Sequence, residues 1–387
     1  MDRKPWLSRW SEERIGCAEP GEPDEQIVRE GRLGFAPATP EEVAAAEARI
    51  GLPLPPSYRE FLLTTNGWRM AGEFVTRMRT TTELGRLHDL EPLWEKHFGW
   101  CFDPEPGVAD ENPFTRGLLI SAEADSGILF LDPGDVDESG EWAAYSMFSW
   151  QPGPPRRFPS FTALMQHLYA QFNSLHRPTG ETRDSWDAAV DRARTDALAG
   201  RFDDAEAALA RAEEFGRDRA TVLRAQLLLF LGRHHEAQNL MGSLVDPKFT
   251  PEGFLTDPLF CGEFLPLLHT QHVNHELGNV ATLLEIALMD RRPDMLRAVA
   301  DHESALARSG GIPTFGNPEF DTRVRGALVD HATDPDSLWQ AVLAALPHWR
   351  PRTTDHLAPV ALLAHPRLAE IITPERGREL LSVPKVG

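Results

Sequence analysis

Residues 33–68 read LGFAPATPEEVAAAEARIGLPLPPSYREFLLTTNGW, a stretch in which helix starts and stops follow one another closely. Thr39 can cap a helix, Pro40 suits its first position, and Glu42 can return to the Thr39 amide to complete a capping box. Val43, Ala46, Glu47 and Ile50 continue one helical face, and Gly51 supplies the left-handed exit. Leu52-Pro53-Leu54-Pro55-Pro56 then forces an extended link. Tyr58, Phe61 and Leu62, at i, i+3 and i+4, mark a second helix that Asn66-Gly67 stops. Two short helices about a proline hinge are expected.

Toward the C-terminus, strand-like runs come at Phe74-Val75 with Met78, at 117–120, at 128–131 and, rich in aromatics, at 142–150. Between the first two, Leu87, Leu90, Leu93, Trp94 and Phe98 lie near helical spacing across Pro92, which reads as an inserted helix. Ser160 caps an amphipathic helix in which Phe161, Leu164, Met165, Leu168, Tyr169 and Phe172 recur at helical spacing. Toward the N-terminus, residues 1–29 mix charges with Cys-Ala-Glu-Pro-Gly-Glu-Pro and read as an arm. The expected organisation is an arm at 1–29, a first domain at 30–177, a linker at 178–184 around Pro178-Thr179-Gly180, and an all-α domain at 185–387.

Within that last domain Leu198-Ala199-Gly200-Arg201-Phe202-Asp203-Asp204-Ala205 recurs about 32 residues later as Phe230-Leu231-Gly232-Arg233-His234-His235-Glu236-Ala237. Ala193 and Ala225 match at the same offset. The pattern resembles two tetratricopeptide units near 185–245, and departs from that family at Leu244, where the first unit has Ala212. A short helical-hairpin array follows from it.

The blocks Leu33-Gly34-Phe35, Glu41-Glu42-Val43, Glu47, Ile50-Gly51-Leu52-Pro53-Leu54-Pro55-Pro56-Ser57-Tyr58, Phe61-Leu62 and Asn66-Gly67 together resemble the opening of the SUKH superfamily, the group of Smi/Knr-like cell-wall regulators and bacterial toxin-immunity proteins. Leu118-Leu119-Ile120, Leu129-Phe130-Leu131-Asp132-Pro133, Gly140-Glu141-Trp142 and Phe158-Pro159-Ser160-Phe161 follow in the order of that family. The resemblance spans residues 30–175, and residues 77–98 look longer and less family-like than the rest. It implies an α+β domain with helices packed on a mixed sheet, acting by binding protein partners and lacking a catalytic centre; fold alone does not fix function.

Charge narrows the partner. A formal charge of −20 argues against direct nucleic-acid binding, which needs clustered Lys and Arg, and suits a basic protein. Residues 103–141 hold eleven carboxylates against Arg116 alone. No stretch approaches the roughly 20 apolar residues of a membrane span, and residues 1–30 lack the apolar core of a secretory signal. The three scattered cysteines, Cys17, Cys101 and Cys261, form no C-x-x-C pair and fit a reducing cytoplasm.

Catalytic and metal signatures fail on inspection. The His-Glu pairs at 235, 275 and 302 are followed, three residues beyond the Glu, by Asn239, Asn279 and Leu306, so none supplies the second ligand of H-E-x-x-H. His269, His272, His275 and Glu276 form the densest ligand cluster, for which a solvated or capping role is favoured over metal. The run from Asp135 to Gly140 begins like a calcium loop but has Ser146 at the twelfth position. No nucleophile elbow, P-loop or dinucleotide fingerprint occurs. No catalytic, cofactor-binding or metal-ligating residue is therefore expected.

The candidate protein-binding surface is the acidic loop region of Asp125, Asp132, Asp135, Asp137, Glu138 and Glu141, with Trp142 beside it. For Trp142, Tyr145, Phe148 and Trp150, packing in a buried strand is favoured over exposed anchoring. The expected function is that of an immunity-type inhibitor whose acidic surface meets a basic toxin enzyme, possibly a nuclease. The alternative is a regulatory adaptor holding separate partners on its two domains.

Overall fold

Helix α1 (Arg3–Gly16) stands where an irregular arm was expected. In the computed structural model, which describes residues 3–18, 25–102, 112–270 and 280–384, Leu7, Trp10, Ser11 and Arg14 form a buried face at i, i+3, i+4 and i+7. Trp10 is 0% exposed and lies against Trp68 and Tyr169, with ring centroids 5.6 and 5.1 Å away. Ser11 Oγ accepts the Leu33 amide at 3.1 Å, and Glu13 accepts the Tyr169 hydroxyl at 2.5 Å and the Thr182 amide at 3.2 Å. The segment is polar in composition yet becomes a structural wall, because its few apolar side chains fall on one side. Helix α2 (Glu25–Glu30) follows.

Helices α3 (Pro40–Ile50) and α4 (Pro56–Thr64) form as their capping signals require. Thr39 Oγ1 accepts the Glu42 amide at 3.2 Å, and the Glu42 carboxylate accepts the Thr39 amide at 2.8 Å. Gly51 sits at φ +73°, where a Cβ would be strained. The Glu47 side chain accepts the Leu54 amide at 2.9 Å, which holds the proline hinge to α3. Asn66 Oδ1 accepts the Thr81 amide, and Gly34 bridges to Trp68, so the two ends of the 33–68 stretch meet.

The chain continues through β1 (Val75–Met78), β2 (Gly85–Arg86), α5 (Leu87–Leu90), α6 (Pro92–Phe98), α7 (Pro113–Arg116), β3 (Leu118–Leu119), β4 (Ser121–Ala124), β5 (Gly127–Val136), β6 (Trp142–Phe148), β7 (Arg156–Phe158) and α8 (Phe161–His176). Pro92 divides the expected inserted helix into α5 and α6. Strands run in the order β2-β3-β5-β6-β7, with a separate β1-β4 pair, and every pairing between named strands is antiparallel. The α+β architecture is present, with both sheet faces covered. Ile128 and Phe130 of β5 and Ala143, Tyr145 and Met147 of β6 pack under α5 to α7, with Phe130 stacked on Tyr145. By the two-residue period of a strand, Leu129 and Leu131 turn to the other side, where α8 packs on β6 and α4 on α8. Trp142, Tyr145 and Phe148 are core residues, whereas Trp150 is exposed.

By the packing of the chain, Met1–Asp184 and Ser185–Gly387 are two compact units. The divide falls inside α9 (Glu181–Leu198), so part of the stretch expected as a linker is helical. The second unit adds α10 (Phe202–Glu214), α11 (Asp218–Phe230), α12 (His234–Val245), α13 (Leu265–Leu268), α14 (Ala281–Met289), α15 (Pro293–Arg308), α16 (Pro318–Asp330), α17 (Pro335–Ala345), α18 (Pro366–Ile371) and α19 (Pro374–Ser382). It has no strand among the described residues. Phe202, Ala205, Leu209 and Ala212 of α10, and their counterparts His234, Ala237, Met241 and Leu244 of α12, are all buried. The repeated turn therefore lays both helices against α11 in the same way.

Candidate functional site

Most carboxylates of the acidic region are already engaged within the first unit. Asp132 is 1% exposed; Arg116 donates to it through Nε at 2.6 Å and Nη2 at 2.9 Å, and the Gly134 amide at 2.8 Å. Its expected role at a partner surface is corrected by that burial, since a carboxylate saturated by internal donors has nothing left for a partner. Glu141 accepts the Ser57 amide at 2.8 Å and the Ser57 hydroxyl at 2.6 Å, so it caps the start of α4 from across the fold. Trp142 is buried and cannot serve as an exposed anchor. Asp137 organises the turn between β5 and β6 by accepting the amides of Ser139 and Glu141.

Asp135 accepts Arg157 Nε at 2.6 Å and Nη2 at 2.8 Å, and the Tyr145 hydroxyl at 3.2 Å. The Arg157 hydrogen bonds hold its carboxyl below the usual range, while burial and the Asp135 charge push the Tyr145 hydroxyl up to about 12. A depressed carboxyl favours the folded state above the unfolded value of about 4, and that stability is lost as pH falls through the lower folded value. In acid titration followed by tryptophan fluorescence, Asp135→Asn should lose stability less steeply below about pH 4 than the parent. Superimposable acid limbs would show that the pair carries no stability.

Two of the candidate carboxylates remain open. Glu138 and Asp125 are exposed, and neither side chain has a partner among the described residues. Asp125 lines a groove of about 480 Å³ with Thr76, Arg79, Glu91, Trp94 and Glu123. Arg79 is held there through the Ser121 and Glu83 carbonyls, at 2.9 and 3.2 Å. Glu123 pairs with Arg77 at 2.9 Å. Leu93, next to Trp94 in α6, is 59% exposed, and Trp100 just beyond α6 is 64% exposed.

Sequence reading missed Trp94, Arg79 and Glu91 as groove residues. The available signal was that residues 77–98 depart from the family pattern, which is where these side chains lie. Of the other expected cluster only His269 lies among the described residues, where it stands beside His302 with ring centroids 5.1 Å apart; His272, His275 and Glu276 lie outside them. No group of three or more His, Cys, Asp or Glu side chains that could hold a metal occurs among the described residues. Asp103, Glu105, Asp110 and Glu111 of the acidic run also lie outside them.

The first unit is thus an α+β domain, a helix-covered antiparallel sheet with an open groove. Residues 37–167 match the SMI1 / KNR4 family (SUKH-1), so the chain carries a domain of that family, over about a third of its length. No curated protein and no solved structure gives a match to the chain. No helix among the described residues is long and apolar enough to cross a membrane.

Proposed function

We propose that the protein is a non-catalytic binding protein of the immunity type, whose SUKH domain captures a basic toxin domain in the cytoplasm. The carrying observation is the groove walled by Trp94 with Glu91 and Asp125 on its rim, Glu123 beside them being paired with Arg77, within the family-matched segment. Aromatic walls supply contact area, and a rim of carboxylates steers and selects a cationic surface. The turn that dominates the sequence by charge is a weaker candidate, because Asp132, Asp135 and Glu141 are spent on Arg116, Arg157 and Ser57. An adaptor reading is favoured by a second, separately packed helical unit with two hairpins of its own.

Capture on the immobilised full-length chain from a native lysate, with mass spectrometry, identifies the partner for titration. A basic polypeptide is expected, held less tightly as salt rises from about 50 to about 300 mM. Asp125→Lys should weaken it about tenfold or more and Glu138→Lys less than about twofold. A partner indifferent to salt and to Asp125→Lys overturns the groove reading. Loss through Glu138→Lys alone would return the contact to the turn.

A further inference from the structure

A cavity of about 390 Å³ in the second unit is lined by Arg352, Asp301 and His302 and by the apolar side chains of Pro258, Pro266 and Leu306. Arg352 is unusually well fixed for a side chain at a cavity. Its Nε donates to Glu263 Oε1 at 3.0 Å, and Glu263, 0% exposed, also accepts the Ala361 amide at 2.9 Å. The Arg352 amide donates to His356 Nδ1 at 3.0 Å. The guanidinium lies over Gly262, where a Cβ would stand 2.4 Å from Cζ.

The terminal nitrogens of that guanidinium have no hydrogen bond among the described residues. A planar fork held in place with its ends unpaired suits a carboxylate, since the ordering cost is already met by the fold. Glu263 carries the turn of π-helix Phe260–Phe264, a local widening that brings the carboxylate under Arg352.

The same lining also carries the opposite charge. Asp301 of α15 is exposed and makes no ion pair with Arg352 or any other described residue. Burial and the neighbouring His269 push the His302 imidazole down to about 4, which leaves it neutral at physiological pH. The Cys261 thiol, also in the lining, is pushed up by burial and by Asp257 and Asp301, so it stays protonated. The cavity thus presents one fixed cation, one separate anion and an apolar remainder.

We infer that this cavity binds a free α-amino acid with an apolar side chain, its carboxylate on the Arg352 fork and its ammonium toward Asp301. The volume lies at the small end of ligand sites, which fits a ligand of that size. The inference concerns the second unit and stands independently of the proposed toxin contact.

Calorimetric titration of the full-length protein with L-leucine, acetate and butylamine tests it. Leucine should bind with one-to-one stoichiometry, and acetate and butylamine at least about tenfold more weakly, because each engages only one of the two charged groups. Asp301→Asn, an exposed change on a helix surface, should weaken leucine about tenfold and leave acetate unaltered. Arg352→Lys retains a cation for Glu263 but loses the fork, and should abolish leucine binding with an unchanged circular dichroism spectrum. No leucine heat at about 10 mM, acetate equal to leucine, or leucine affinity unmoved by Asp301→Asn would each overturn the inference.

Discussion

Asp132→Ala should destabilise the first unit by about 3 kcal/mol, the lower end of the cost of breaking a buried ion pair. The cost sits there because Asp132 is 1% exposed whereas the Arg116 side chain is 32% exposed, so solvent can reach the guanidinium that loses Asp132. The substitution also strips the acceptor from the Gly134 amide, which opens the bend in β5. Since the chain has two units, a single unfolding midpoint is not well defined, and hydrogen exchange of amides in 118–148 is the suitable measurement. Faster exchange there, with the second unit unchanged, is expected. A change under about 0.5 kcal/mol would put Asp132 back among contact residues, because a surface carboxylate at a binding site leaves folding stability nearly untouched.

Trp10→Ala should cost the same unit about 3–5 kcal/mol, the usual range for emptying a buried aromatic site. Trp10 fills the space between Trp6, Trp68 and Tyr169, and no small movement of α1 can close the cavity while Ser11 and Glu13 remain bonded to Leu33, Tyr169 and Thr182. Trp10 Nε1 has no hydrogen-bond partner among the described residues, so Trp10→Phe loses packing alone and should recover about half of the loss. Hydrogen exchange of the first-unit amides distinguishes the variants. Unaltered exchange in Trp10→Ala would mean that α1 is an appendage, as its composition suggested.

The burial of Asp132 and Trp142, both named from the sequence as surface candidates, has a physical reason. Charge density along the chain drew attention to residues 125–142, yet Arg116 lies sixteen residues from Asp132 and Arg157 twenty-two from Asp135, too far apart for any local pattern to pair them. Glu141 reaches Ser57 across a separation of 84 residues. Carboxylates counted as surface charge were thus consumed by the fold. Trp94 carried the opposite error. It read as one more apolar position on a broken helix, and only the approach of α6 to β4 and β5 makes it the wall of a groove.

What the sequence determined by itself is whatever depends on contacts a few residues apart. Thr39 with Glu42, Gly51, the Leu-Pro hinge, the Ser160 cap and the Gly200 and Gly232 turns all close within one helical turn, and all stand as expected. The α+β character and the helical second unit follow from these and from hydrophobic period. Tertiary structure decided the rest: that residues 3–16 are a packed helix, that Asp132 and Glu141 are internal struts, that Asp125 lines an open groove, and that Arg352, held by Glu263, lines a cavity together with Asp301. Each of those depends on which distant side chains arrive alongside, and burial and charge pairing are set only on arrival.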